Sequence, residues 1–129
     1  MAARILVVED EEGIREIEKI VLEKDGYTVD TAEDARVGLE KASRGGFDLI
    51  ISDIMMPGMD GFQLIQELRK VPGAKGVPVI FITAMEEQRD KIKGLNLGAV
   101  EYITKPFSTR DLLEKIKEVL ISYRKPAQA

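Results

Sequence analysis

The chain contains no cysteine and no histidine among its 129 residues, and the two absences exclude several kinds of chemistry. Without cysteine there is no disulfide, no thiolate nucleophile and no cysteine metal site, which is compatible with a reducing cytoplasm. Without histidine there is no histidine general base, no serine–histidine triad, no histidine-ligated zinc and no phosphohistidine on this chain. No apolar stretch approaches the length of a membrane span, and we expect no signal peptide.

The composition indicates one compact domain of moderate acidity. Hydrophobic residues make up 44% of the chain, which is enough for a real core, and the length does not favour a second domain. The 19 basic and 23 acidic residues give a net charge of -4. This balance offers no electrostatic basis for binding nucleic acid or an anionic membrane. We therefore expect proteins or small anions as partners.

Four apolar runs each end in a residue that can handle phosphate or metal. They are residues 5–8 before Glu9 and Asp10, residues 49–52 before Asp53, residues 79–82 before Thr83, and residues 100–104 before Lys105. Runs of this kind are typical of buried strands. If the strands are parallel in one sheet, their carboxyl ends share an edge, where open α/β sheets bind ligands. The pattern predicts a site that is assembled by the fold.

Segments with helical periodicity alternate with these runs, which predicts an α/β fold with a doubly wound sheet and helices on both faces. The expected apolar face of the first helix consists of Ile14, Ile17, Val21 and Leu22. Residues 27–31 supply one further strand.

Two later helices differ in their expected anchoring. The segment from Glu86 to Gly94 predicts a weak helix that offers mainly Ile92 and Leu95 to a core. A loosely anchored helix is a candidate moving part, although a poorly packed surface helix would look the same. The last helix, in contrast, carries a broad apolar stripe that runs to Tyr123.

Glu9, Asp10 and Asp53 would crowd like charges at the shared edge, which raises a pKa, binds a cation, or does both. Carboxylates, a backbone carbonyl and water suit octahedral Mg²⁺, and without histidine or cysteine the site has little to offer softer metals. The alternative is that acids after strands merely cap the next helices, as Glu11 and Glu12 could. Asp53 does not fit that alternative, because no helical pattern starts directly after it.

A carboxylate such as Asp53 can attack phosphorus and form an aspartyl phosphate. This transfer depends on positioning and charge neutralisation more than on proton chemistry. Magnesium would offset charge on one side and Lys105 on another, while the Thr83 hydroxyl and nearby backbone amides would hold the remaining oxygens. Taken alone, Thr83 is also an ordinary strand residue and Lys105 an ordinary surface lysine. Pro106 after Lys105 allows a cis peptide bond.

Four strings together resemble the receiver domain of two-component response regulators. They are ILVVEDE at 5–11, DIMMPGMDG at 53–61, ITA at 82–84 and YITKPF at 102–107. They stand in the family's order and span essentially the whole chain. The resemblance implies a flavodoxin-like fold, a five-stranded parallel sheet of order 2-1-3-4-5. Residues 1–124 would form the receiver domain, and residues 125–129 a tail or the start of a linker.

Carried over residue by residue, the resemblance makes Asp53 the phosphoacceptor. Glu9 and Asp10 become acids of the Mg²⁺ site, with Mn²⁺ as an alternative metal, and Asp53 and the backbone carbonyl of Met55 become further ligands. The resemblance implies a domain that catalyses only its own phosphorylation and dephosphorylation and is otherwise not an enzyme. A sensor histidine kinase or phosphotransfer protein would donate the phosphoryl group from its own phosphohistidine, which fits a receiver chain without histidine.

The resemblance also makes Thr83, Lys105 and the backbone amide of Ala84 phosphate contacts, and Tyr102 the switch aromatic. Phosphorylation would draw Thr83 toward the added charge and let Tyr102 turn inward. The face of the fourth helix, fifth strand and last helix would then favour a partner-binding or dimeric form. Many DNA-binding members carry an acid where this chain has Val100, which leaves the mode of dimerisation open.

The implied partners are the phosphoryl donor and an output domain or effector protein. We expect a cytoplasmic location, no membrane contact and no direct binding of nucleic acid by this domain.

Met55 and Met85 occupy two positions that tune the lifetime of the aspartyl phosphate in the family. Neither side chain can orient an attacking water, so we expect a comparatively long-lived phosphate. The alternative is that both methionines only fill surface gaps, as flexible side chains do.

Three other interpretations compete with a working receiver. An aspartyl-phosphate hydrolase would need a second acid two residues after its nucleophile, where this chain has Met55. A degenerate receiver, used only as a binding module, would not need the acids, threonine and lysine intact. A flavin or nucleotide site would need a glycine-rich phosphate loop after the first strand, and the sequence has none there.

Overall fold

The computed structural model describes residues 2–84 and 88–123, along which five strands alternate with five helices. The strands are β1 (Arg4–Val8), β2 (Thr28–Ala32), β3 (Leu49–Asp53), β4 (Val79–Thr83) and β5 (Glu101–Thr104). The helices are α1 (Glu12–Lys24), α2 (Ala35–Ser43), α3 (Gly61–Leu68), α4 (Gln88–Asn96) and α5 (Thr109–Ser122).

The strands form one parallel sheet in the order β2-β1-β3-β4-β5, which confirms the predicted topology. The register sets Asp53 of β3 opposite Ile82 of β4, and Thr83 of β4 opposite Thr104 of β5. The carboxyl ends of β1, β3, β4 and β5 therefore meet along one edge, as the apolar runs of the sequence predict.

Side chains alternate along the central strands between two cores, one on each face of the sheet. In β4, Val79 and Phe81 belong to the core under α2 and α3, while Ile80 and Ile82 belong to the core under α1 and α5. Because both faces are covered by helices, these strands have continuous apolar sequences instead of alternating ones.

The apolar face predicted for α1 is wrong at one position. Ile17 is 62% exposed, whereas Glu18, which was not predicted to be inside, is only 5% exposed. Ile14, Glu18 and Leu22 are spaced four residues apart, so they lie on one stripe of the helix. That stripe is the one turned inward, and Ile17 consequently lies toward the surface.

The apolar positions predicted for α4 and for the end of α5 are also wrong. Ile92 and Leu95 are each 49% exposed, and Tyr123 is exposed as the residue that caps α5. α4 instead approaches the sheet through Gly94, where an added Cβ would lie 3.1 Å from the Phe81 ring. A glycine at this contact lets the helix pack closely, which leaves its larger apolar side chains at the sides.

Three predicted features lie outside the described residues. They are Met85, the beginning of the fourth helix at Glu86, and the tail over residues 125–129. Among the helices of the described part, none has the length and apolar character that a membrane crossing requires.

Candidate functional site

Three carboxylates meet at the carboxyl edge of the sheet. Glu9 and Asp10 directly follow β1, and Asp53 is the last residue of β3. One carboxylate oxygen from each lies within 4.8 Å of the others; Glu9 and Asp53 are buried and Asp10 is exposed. A compact set of hard oxygen donors suits Mg²⁺ or Mn²⁺ better than a softer metal, so these residues fit the predicted ion.

Lys105 neutralises part of this negative charge. Its Nζ lies 2.7 Å from Oδ2 of Asp53 and 3.2 Å from Oε1 of Glu9. Burial alone would lower the pKa of Lys105, but the hydrogen bonds and charges of Asp53 and Glu9 outweigh burial, so this pKa is raised. The ammonium therefore stays charged at neutral pH. The Lys105–Pro106 peptide bond is cis, as the sequence allows.

Glu9 is fixed by contacts with the beginning of α1. Its Oε2 accepts a hydrogen bond of 3.1 Å from the Glu11 N–H, and Arg15 Nη1 donates to its backbone carbonyl at 2.9 Å. Burial, aided by the charge of Asp53, raises the pKa of Glu9 despite the opposing hydrogen bonds from Glu11 and Lys105. Glu9 therefore takes up a proton at a higher pH than a free glutamate does.

Asp53 is held by the loop that follows β3. The Met55 N–H donates to Oδ1 of Asp53 at 3.1 Å, and Met55 itself is 60% exposed. The loop returns to the strand end at Gly61, where an added Cβ would lie 2.6 Å from the Asp53 carbonyl oxygen. α3 starts only there and is capped by Asp60, so Asp53 caps no helix.

The remaining predicted residues lie at the ends of β4 and in β5. Thr83 is fully buried, its carbonyl accepts a 2.8 Å hydrogen bond from the Lys105 N–H, and Ala84 is exposed directly after it. Tyr102 is half-buried against the core under α2 and α3, and Lys91 Nζ lies 5.7 Å from the centre of its ring. Thr83, Ala84 and Lys105 thus share the edge with Asp53, while Tyr102 faces α4.

A family model of the response regulator receiver domain matches residues 5–117. The chain belongs to this family. The receiver domain is 43% identical over 120 residues to the phosphate regulon transcriptional regulatory protein PhoB of Escherichia coli. That alignment covers 93% of this chain and 52% of PhoB, so the receiver domain spans about half the length of this relative.

Solved structures of other receivers are similar throughout the fold. Chemotaxis protein CheY4 of Vibrio cholerae is 35% identical, with a TM-score of 0.88 over 92% of this chain and 99% of that one. Response regulator TrrA of Thermotoga maritima, solved in complex with Mg²⁺-BeF, is 40% identical, with a TM-score of 0.80 over 91% and 98% of the two chains. These similarities confirm the predicted flavodoxin-like receiver fold.

One buried acid near the site was not predicted. Burial, aided by the charge of Glu9 and opposed by that of Lys105, raises the pKa of Glu18 to about 8. The sequence does hold a signal for it, because Glu18 is the charged residue midway between Ile14 and Leu22 at spacings of four. This spacing admits Glu18 to the inward stripe, but it does not decide the matter, because the neighbouring Ile17 fits the same period.

Proposed function

We propose that the receiver domain accepts a phosphoryl group onto Asp53 from the phosphohistidine of a sensor kinase or phosphotransfer protein. The observation that carries this proposal is the Lys105 ammonium 2.7 Å from the Asp53 carboxylate, beside two further acids. An Asp53 oxygen would form a bond to phosphorus while the donor's P–N bond breaks. The electron pair of that bond leaves with the imidazole nitrogen, which takes up a proton.

The acids and Lys105 would divide the work of neutralising charge. Glu9, Asp10, Asp53 and the backbone carbonyl of Met55 would hold Mg²⁺, which supplies positive charge against the phosphoryl oxygens. Lys105 would supply a second cation from the side of β5. Its present contacts with two carboxylates support this role, because they place the ammonium beside the attacking oxygen.

The phosphoryl group would then be held by the end of β4. The exposed Ala84 can offer its backbone N–H, and Lys105 can donate from Nζ. The Thr83 side chain is fully buried, so contact between its hydroxyl and a phosphoryl oxygen requires a movement toward Asp53. We propose that this movement reports phosphorylation to the neighbouring strand, since Thr83 lies opposite Thr104 of β5.

The response would appear on the face formed by α4, β5 and α5. Tyr102 would turn into the space that Thr83 leaves, and α4 would shift with it. The exposed Ile92 and Leu95 of α4 give this face apolar area for a partner or a second copy. An ion pair of 3.3 Å between Lys115 and Glu101 lies on the same face. In a dimer, each of these side chains would be able to pair with the opposite charge of the second copy instead.

The proposed partners are a phosphoryl donor and an output domain or effector protein. The length of PhoB supports an output region beyond residues 1–124, with residues 125–129 as a tail or linker start. We propose a cytoplasmic location, because the domain must reach both the phosphoryl donor and the output domain or effector. We also propose that it catalyses only its own phosphorylation and dephosphorylation.

Incubation with phosphoramidate, a small donor whose P–N bond resembles that of phosphohistidine, tests this proposal. We expect the intact mass to gain one phosphoryl group when Mg²⁺ is present and none when it is chelated. A gain that is independent of Mg²⁺, or no gain with Mg²⁺ present, would contradict the proposal.

A further inference from the structure

A groove separates α1 from the segment that joins β5 to α5, next to the three carboxylates but outside them. It has a volume of about 510 Å³, within the range of small-molecule sites. Its walls are mainly apolar and come from Ile14, Ile17, Val21, Pro106, Phe107 and Leu112. An apolar groove of this size becomes selective only through the few polar groups in its lining.

Glu18 is the acidic group in this lining. Its side chain is only 5% exposed, and no described residue forms a hydrogen bond or ion pair with its carboxyl. Among the described side chains, every fully buried polar atom has a hydrogen-bond partner. Because the Glu18 carboxyl has none, its oxygens cannot be fully buried. They account for part of the small exposed area of Glu18 and open into the groove that this residue lines. Burying a carboxyl without a partner is costly, and a ligand that donates a hydrogen bond there would recover that cost.

The charge around the groove favours a cationic donor. Lys105 is the cation in the lining, but its ammonium is already engaged by Asp53 at 2.7 Å and by Glu9 at 3.2 Å. Glu18 therefore remains without a neutralising partner among the residues that line the groove. Burial and the charge of Glu9 raise the pKa of Glu18 to about 8, which is the expected response of an acid that lacks a cation.

We propose that this groove binds a small organic amine, whose ammonium group donates hydrogen bonds to Glu18 and whose apolar body fills the space between α1 and α5. The ammonium would stabilise the carboxylate form of Glu18. The apolar body would contact Phe107 and Leu112 on one wall and Ile14 and Val21 on the other. The groove adjoins the phosphoacceptor site, because Ala84 and Lys105 also line it, but the proposal does not rest on the proposed phosphoryl transfer.

The proposal is tested by comparing 2-phenylethylamine with 2-phenylethanol, which has the same apolar body and a neutral hydroxyl. Each is titrated at pH 7 into ¹⁵N-labelled protein while amide NMR shifts are followed, with saturating Mg²⁺ to occupy the carboxylates at the sheet edge. We expect the amine to bind with a Kd at least tenfold lower than that of the alcohol. The shifts should be saturable and should centre on α1 and the start of α5.

Two variants show whether the preference for the amine comes from Glu18 or from the negative charge of α1 in general. Glu18→Gln keeps the size of the side chain and should abolish the preference for the amine. Glu16→Gln removes an exposed acid from the same helix and should leave the preference intact. If Glu18→Gln fails to fold, the comparison of the two ligands in wild type still tests the proposal.

Three results would overturn the proposal. One is equal binding, or no binding, of the two compounds to wild type. Another is a preference for the amine that persists in folded Glu18→Gln. The third is a set of shifts confined to the loops that carry Asp10 and Asp53, which would place the amine at the acidic cluster.

Discussion

The ammonium of Lys105 and the carboxylate of Asp53 are separated by 2.7 Å, although the residues are 52 positions apart in the chain. Lys105 follows β5 and Asp53 ends β3, and β4 lies between these strands, so the contact crosses the end of β4. Both side chains are mostly buried, at 20% and 8% exposure. Because water screens a buried pair poorly, the attraction between this ammonium and this carboxylate is stronger than that of an exposed pair.

Replacing the ammonium tests the role proposed for Lys105. We expect Lys105→Met to slow phosphoryl addition from phosphoramidate by about 100-fold, the order of effect seen when one positioned donor is removed from a reacting centre. Mg²⁺ should still bind, since an ammonium supplies no metal ligand. The initial rate of mass gain is the measurement, and Lys117→Met, which removes an exposed lysine of α5, should react like wild type. An unimpaired Lys105→Met would contradict the role.

Mg²⁺ should stabilise the protein, and less so in acid. At about 100 times its Kd, a ligand of the folded state adds about 2.7 kcal/mol to the free energy of unfolding. The pKa of Glu9 is raised, mainly by burial, so protons compete with the metal as the pH falls toward that pKa.

Thermal unfolding with and without Mg²⁺, followed from pH 7 downward, measures this stabilisation. Asp10→Asn should reduce the shift in Tm produced by Mg²⁺, while Glu12→Gln, an exposed acid at the start of α1, should not. A shift in Tm that grows as the pH falls would count against the assigned ligands.

Glu18 should make the protein less stable as the pH rises. Its pKa is about 8 in the folded protein against an ordinary value of 4.5, so between these values the unfolded chain has lost a proton that the folded protein keeps. The free energy of unfolding of wild type should therefore fall relative to Glu18→Gln by up to about 1.4 kcal/mol per pH unit in that interval. Below pH 4.5 the difference between them should be constant.

Urea denaturation of both proteins across this pH range measures the effect. Glu16→Gln is the matched control, because it removes an exposed acid from the same helix, and its stability should run parallel to that of wild type. Parallel curves for Glu18→Gln and wild type would show that Glu18 ionises freely in the folded protein.

The side chain of Met55 should protect the aspartyl phosphate. Met55 lies two residues after Asp53 and is 60% exposed, and its thioether cannot orient a water for attack on phosphorus. We expect Met55→Asn to shorten the lifetime, because a carboxamide can hold a water by hydrogen bonds. Decay of the phosphorylated mass after the donor is removed gives the lifetime. Met55→Leu keeps an apolar side chain and should decay like wild type; equal lifetimes for all three proteins would refute the role.

The strands and the shared edge could be predicted because their cause is local. A parallel strand covered on both faces needs a continuous apolar sequence, so β1, β3 and β4 are visible in the chain as such runs. Each run ends in its functional residue, and the parallel arrangement alone then brings Glu9, Asp53 and Thr83 to one edge.

The rotation of the helices could not be predicted from the chain alone. Ile17 and Glu18 are neighbours on α1, and a period of 3.6 residues admits either one to the inward stripe. Apolarity favoured Ile17, but packing against the sheet turns Glu18 inward. The same limit applies to α4, because the close approach at Gly94 depends on the position of Phe81 in another element.

The phosphoacceptor role of Asp53 is tested most directly by intact mass after incubation with acetyl phosphate and Mg²⁺. We expect one added phosphoryl group on wild type and none on Asp53→Asn. Asp48→Asn, which changes an exposed aspartate just before the same strand, should gain one group as wild type does. A phosphoryl group that still appears on Asp53→Asn would contradict the phosphoacceptor role of Asp53.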